Sequence, residues 1–307
     1  MKHETWRHDP SAYGSTQPVA ARFADVDTRR HVNNIAVYGL HHEARQRWLM
    51  ATDGGAAVWP DGRLLLKPMA SRTEFWQECH YPAVVVARLR LLQASPDGLT
   101  LAGGLFQGGA CVGMQQTQLG AWAPDLSTSA RLTAAWLGDL AGSVGPAGDT
   151  VASHRPAGTE QRRLYPVAAT LASRYGDFDA DGGTSEAAVM RGIEQARAAL
   201  LKAAFAAAGG QPERDWVSLV VVRIDLHFVH HRAPPPQWAL ASAVTHTGRS
   251  SAVLRVAMFD GQALQATADC VMVYTDPAGP PGAAALPPAL RAALQSFHWL
   301  SGDPPCP

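Results

Sequence analysis

The sequence predicts an α+β protein made of two copies of one domain, each a long helix packed against an antiparallel sheet. Three observations carry that prediction. Blocks of sequence recur at a nearly constant offset, helical periodicity gives way to strand alternation in each copy, and the length of 307 residues suits two domains better than one core.

The repeat is the strongest of the three. Arg22-Phe23-Ala24-Asp25-Val26-Asp27 matches Arg174-Tyr175-Gly176-Asp177-Phe178-Asp179 at an offset of 152 residues. The same offset aligns Ala36-Val37 with Ala188-Val189 and Ala44-Arg45 with Ala196-Arg197. Phe75 then aligns with Phe228, and Phe106-x-Gly108-x-Ala110 with Phe259-x-Gly261-x-Ala263, at an offset of 153. One inserted residue reconciles the two blocks, which is the signature of a duplicated unit. The copies are expected over 15–140 and 161–300, joined by a Pro/Gly-rich linker over 141–160.

The elements follow in order. A short strand (Val19 to Phe23; Val167 to Arg174) leads into the Asp-x-Asp turn in each copy. The second copy continues with Val189, Met190, Ile193, Ala196, Leu200, Leu201 and Ala204 at spacings of three and four, the buried face of a long helix. The first has Ile35, Tyr38 and Trp48 in a looser helical pattern that ends at Gly54-Gly55. Strands come next. Val220, Val222, Ile224, Leu226 and Phe228 alternate with Arg223, Asp225 and His227, which predicts one apolar and one polar face. Trp238 to Thr247, Ala252 to Phe259 and Ala263 to Tyr274 read as further strands, with turns at Thr247-Gly-Arg-Ser250 and Asp260-Gly261. Leu286-Pro-Pro-Ala-Leu290 opens a short C-terminal helix.

Composition narrows the class. Lys+Arg 26 balances Asp+Glu 26 at a pI near 7.2, so no basic field exists to hold a nucleic acid. With 47% hydrophobic and 17% charged residues, a core is available and disorder is not expected. Cys79, Cys111, Cys270 and Cys306 show no C-x-x-C spacing, which points to reduced thiols in a cytoplasmic protein. No apolar run approaches the length of a signal or a membrane span.

The stretch Arg22-Phe-Ala-Asp-Val-Asp27-Thr-Arg-Arg-His31-Val32-Asn33-Asn34-Ile-Ala-Val-Tyr38, continuing to Glu43-Ala-Arg45, carries the chemistry. It resembles the signature of hot-dog-fold thioesterases of the 4-hydroxybenzoyl-CoA and acyl-ACP type. Thr247-Gly-Arg-Ser-Ser251 and Phe259-Asp-Gly261 resemble that family's late strands. The resemblance implies two hot-dog domains in tandem, pairing as a pseudo-dimer with the pocket between them. It also implies hydrolysis of an acyl-CoA or acyl-ACP thioester to acid and thiol. The coenzyme A or acyl carrier protein belongs to the substrate, and no separate cofactor or metal is expected. By the same resemblance Asp27 matches the catalytic aspartate and His31 the catalytic histidine. Phe75-Trp-Gln-Glu78-Cys79 resembles the segment of plant acyl-ACP thioesterases that carries a catalytic glutamate, here Glu78 on a strand. Arg29 stands where those enzymes have an active-site asparagine.

The chemistry asks for the same groups. Thioester hydrolysis needs a base or nucleophile and donors for the developing oxyanion. A turn entering a helix leaves backbone N–H groups near Val32, Asn33 and Asn34 as candidate donors. Asp27, just upstream, is placed to attack the carbonyl or take a proton from water. Plainer roles stay open: Asp27 as a turn cap, His31 as a structural hydrogen-bonder, Asn33 and Asn34 as helix caps, Glu78 as a surface residue. Glu43 and Arg45 read as structural. In the second copy Asp179 is kept, but Gly183, Ser185 and His231 replace His31, Asn33 and Glu78. The first copy is therefore expected to hold the chemistry, with Asp179 and a CoA-contacting Arg249 as substrate contacts from the second. The pairs His41-His42 and His230-His231 point their members to different faces and make poor metal sites. Two other functions share the fold: an acyl-thioester binder without activity, and an enoyl-thioester hydratase. The hydratase turn Gly-Asp-x-Asn-Pro-x-x-His is only faintly matched by Tyr175-Gly-Asp-Phe-Asp179, which lacks the Pro and His.

Overall fold

The computed structural model describes residues 4–59, 61–145, 160–211, 218–280 and 282–299. Most of the expected linker and Cys306 lie outside the described residues. Contacts divide the chain into two compact units, Met1–Ser153 and His154–Pro307.

The first unit contains strands β1 (Ser15–Val19), β2 (Leu65–Phe75), β3 (Val85–Ser95), β4 (Gly98–Gln107) and β5 (Ala110–Trp122). Its helices are α1 (Asn34–Met50), a single turn α2 (Gly55–Val58) and α3 (Ala134–Ala141). The strands are antiparallel in the order β1-β3-β4-β5-β2. The second unit has β6 (Val167–Ala172), α4 (Glu186–Ala207), β7 (Leu219–Phe228), β8 (Gln237–Thr247), β9 (Ser251–Asp260), β10 (Ala263–Tyr274) and α5 (Pro288–Ser296). Its strand order, β6-β8-β9-β10-β7, is the same topology with every label advanced by five. The repeat read from the sequence is thus a repeat of structure, down to a closing helix, α3 or α5, that the sequence signalled only in the second copy.

The long helix of each unit lies against its own sheet. All seven apolar positions expected on α4 are buried, from Val189 to Ala204. On α1 the buried face holds Val37, Leu40, Ala44 and Leu49, together with Tyr38, His41 and Arg45. That mixture explains why its periodicity was less regular. The Arg45 guanidinium donates to Gln115 Oε1 (3.1 Å) and Thr117 Oγ1 (3.2 Å) on β5. Its buried charge is thereby shared with a polar row that continues through Gln115 Nε2 to Thr73 Oγ1 at 3.0 Å. Glu43 faces outward and pairs with Arg47, so Glu43 and Arg45 serve the helix and its packing.

The two cores fill the same space with different volumes. A Cβ on Gly192 would lie 2.4 Å from Met258 Sδ, where the first unit pairs Leu40 with Leu105. A Cβ on Gly103 would lie 3.2 Å from His41 Nδ1, where the second unit has Val256 and Ile193. Met258 and His41 are each matched by a glycine across the helix–sheet contact, whereas the corresponding pairs of the other unit are two side chains of middling size.

Two sequence expectations shift. β1 runs over Ser15–Val19, ahead of the expected Val19 to Phe23, because Phe23–Asp25 forms a 3-10 turn. On β7, Ile224, Leu226 and Phe228 are buried as expected, but Val220 and Val222 are only half-buried while Leu219 and Val221 face the core. The pairing with β10 slips between Val271 and Met272, opposite Val222, and a bulged residue inverts the alternation. Among the described residues no helix is long and apolar enough to cross a membrane.

Candidate functional site

The Asp-x-Asp motif builds the same two successive turns in both units. Asp25 Oδ2 accepts from Arg22 N (2.7 Å), and Asp177 Oδ2 from Arg174 N (2.9 Å), closing the 3-10 turn. The Arg22 guanidinium beside Asp25 holds that carboxyl below the usual carboxylate range. The second aspartate closes the next turn. Asp27 Oδ1 accepts from the N–H groups of Arg29 (2.9 Å) and His31 (3.1 Å). Asp179 Oδ1 accepts from Asp181 (3.0 Å) and Gly183 (2.9 Å) in the same way. The residue between those donors is left-handed in each case, Arg30 at φ 65° and Gly182 at φ 81°. What the two copies share is therefore the turn, and the residues they do not share sit on top of it.

In the first unit that turn presents His31. Its Nε2 lies 3.0 Å from Glu78 Oε2. Arg29 NH2 is 3.8 Å from Glu78 Oε1, and His80 Nε2 is 3.9 Å from Glu78 Oε2. The His80 ring stands edge-on to His31 at 5.1 Å. His31 is 20% exposed and Glu78 53%, so the pair is anchored on the imidazole side and open to solvent at the carboxylate. Two residues join the group without having been singled out. In the sequence Arg29 stands out only as a departure from the plant enzymes. His80 was missed, although Glu78-Cys79-His80 in an extended chain puts its first and third side chains on one side.

Backbone pairing brings the two segments together. Val32 N donates to Cys79 O at 2.8 Å, which sets His31 beside Glu78. The second unit repeats this bond as Thr184 N to Arg232 O at 2.8 Å. Glu78 lies on the loop that follows β2, and not on a strand as expected, because Trp76 N and Gln77 N both turn onto Val112 O at 3.0 Å and end the ladder. The neighbouring Cys79 is buried, and burial pushes its thiol up, away from a nucleophilic thiolate.

The expected oxyanion donors need correction. The N–H of Val32 is taken by Cys79 O, and that of Asn33 by Asp25 O at 2.8 Å. Asn33 Oδ1 caps Ile35 N at 2.7 Å. Of the three proposed N–H donors, only that of Asn34 has no hydrogen-bond partner among the described residues, as the first position of a helix leaves it. Asp179 performs its turn role in the second unit. Arg249 is exposed in the β8–β9 hairpin, where its carbonyl accepts from Arg291 at 2.9 Å.

The histidine pairs divide as their spacing implied. His41 is buried and held neutral, its pKa pushed down to about 3 by burial and by nearby Arg45, while His42 reaches Gln46 at 3.1 Å. Among the described residues no cluster of three or more His, Cys, Asp or Glu is placed to hold a metal. A cavity of about 580 Å³ in the first unit lies elsewhere, walled by Tyr13, Trp48, Leu89, Arg90 and Val144. None of the residues around His31 lines it.

No family profile and no curated protein sequence matches the chain. Solved structures do. A 12:0-ACP thioesterase from Umbellularia californica superimposes with a TM-score of 0.64 at 10% identity, covering 85% of this chain and 94% of that one. An acyl-ACP thioesterase from Bacteroides thetaiotaomicron gives a TM-score of 0.63 at 11% identity, covering 84% and 97%. At such identities the likeness speaks for the fold: this chain has the tandem hot-dog fold found in those acyl-ACP thioesterases.

Proposed function

We propose that the protein is a cytoplasmic thioesterase that hydrolyses an acyl-CoA or acyl-ACP, using the His31–Glu78 pair of its first unit. The observation that carries this reading is the 3.0 Å contact between His31 Nε2 and Glu78 Oε2. It joins two groups suited to proton transfer, on the fold that solved acyl-ACP thioesterases share.

In this reading Glu78, open to solvent, takes a proton from a water molecule as that water attacks the thioester carbonyl carbon. His31 donates to Glu78 through Nε2, which fixes the carboxylate and the tautomer of the ring. The Asn34 N–H at the positive end of α1 is the backbone donor left for the oxyanion. Collapse of the tetrahedral intermediate breaks the C–S bond, and the proton held by Glu78 passes to the departing thiolate. Arg29 adds positive charge beside the carboxylate. Asp27 acts through the turn, its Oδ1 holding the backbone of Arg29 and His31 in place. The second unit keeps the turn and lacks both chemical groups, so one site per chain is proposed.

A thiol-release assay over acyl-CoAs and acyl-ACPs of varied length, with wild type and Glu78→Gln, tests the proposal. Turnover that Glu78→Gln abolishes supports it. A wild type inert on the whole panel, or a fully active Glu78→Gln, sinks it.

A further inference from the structure

The loop that carries Glu78 spans residues 76–84 between β2 and β3, and one side chain from outside the loop fastens it. Gln107, the last residue of β4, accepts from His80 N through Oε1 at 2.9 Å. Its Nε2 donates to His80 O at 2.8 Å and to Ala83 O at 3.1 Å, and lies 3.9 Å from Cys79 Sγ. The amide thus satisfies both polar groups of the His80 backbone at once, a match only a side chain with a donor and an acceptor can make. Gln107 is itself held on both flanks, in register with Val85 on β3 and Ala110 on β5.

The second unit supplies a comparison within the same chain. Position 107 corresponds to Asp260, which ends β9 as Gln107 ends β4. The Asp260 side chain makes no hydrogen bond among the described residues, and its loop carries His231 in place of Glu78. The sheet and its turns form without the clasp. The clasp occurs where the acid–base loop occurs.

We infer that Gln107 is a positioning residue: it holds the Glu78-Cys79-His80 backbone so that Glu78 meets His31 in the geometry that proton transfer requires. This rests on the thioesterase reading for its kinetic consequence, but the clasp has a readout of its own. Two residues hold the loop backbone close to His31, Val32 and Gln107. The Val32–Cys79 backbone bond and the Gln107 bond to His80 N grip opposite edges of the one Cys79–His80 peptide, which governs where the Glu78 side chain leaves the chain. A displacement of about 1 Å at a reacting group lowers turnover by roughly 100-fold.

The test uses the full chain with Gln107→Leu and Gln107→Asp, the latter placing at 107 the residue that the second unit tolerates there. Asp260→Leu is the control. Amide hydrogen exchange of the 76–84 segment is read first, then kcat and KM on the best substrate of the panel. Expected for both Gln107 variants is faster exchange at His80, kcat lower by about 10- to 100-fold and KM within about threefold. Asp260→Leu changes neither. Unchanged exchange at His80 overturns the clasp. Faster exchange with wild-type kcat overturns its positioning role. If wild type turns over nothing, the thioesterase reading and the kinetic role that depends on it fail, while the exchange result still decides whether the clasp exists.

Discussion

The role given to Asp27 separates two substitutions that a catalytic carboxylate would not. Its Oδ1 accepts two backbone N–H bonds, from Arg29 and His31. Asparagine keeps an oxygen at that place and alanine does not. Losing a cap of this kind costs about 1–2 kcal/mol, which for a domain of this size lowers Tm by roughly 2–8 °C. Asp27→Ala should therefore melt lower and lose roughly 100-fold or more in turnover, because His31 is no longer aimed at Glu78. Asp27→Asn should keep the wild-type Tm and turnover within about threefold, since the neutral amide oxygen still accepts both bonds. Asp179→Ala is the built-in control: it removes the same two bonds in the second unit, so it should lower Tm similarly and leave turnover intact. The assay is thiol release alongside thermal unfolding. If Asp27→Asn is as inactive as Asp27→Ala with an unshifted Tm, the carboxylate charge takes part in the chemistry and the turn argument is refuted.

Three further outcomes follow from the structure. Glu78→Gln should lower kcat by about 100- to 10,000-fold without changing Tm, because the side chain is half exposed; a matched fall in Tm would mark Glu78 as structural. His41, with its folded pKa depressed to about 3 from an ordinary 6.5, binds fewer protons folded than unfolded between those values. Its contribution is thus present above pH 6.5 and lost as pH falls toward 3, at a slope of up to about 1.4 kcal/mol per pH unit. Urea titrations at pH 7.5, 5.5 and 4.5 should show a shallower decline in His41→Phe, and parallel curves would contradict the buried neutral imidazole. Gly192→Leu should destabilise by about 1–3 kcal/mol through its collision with Met258. Adding Met258→Leu restores the first unit's Leu–Leu pair and should recover more than half of the loss in chemical denaturation.

The sequence alone determined the duplication, the element order and the fold. Those rest on periodic and near-identical local patterns, such as the apolar face from Val189 to Ala204, and each pattern is written within a short window of chain. It also marked Asp27, His31 and Glu78 as the residues to examine. What it could not separate was the role of each, because a catalytic aspartate and a turn-capping one read alike until Oδ1 of Asp27, like that of Asp179, is seen to accept two backbone N–H groups. Only the tertiary structure brought Glu78 across 47 residues of chain to His31, engaged the Val32 and Asn33 N–H groups, added His80 and Arg29, and set the Gln107 side chain of β4 against the loop. Hydrogen-bond partners distant in sequence leave no periodic trace, and a donor's availability depends on what else has folded against it. The local code wrote two copies of one turn, and the long-range contacts set Glu78 against His31 on one of them.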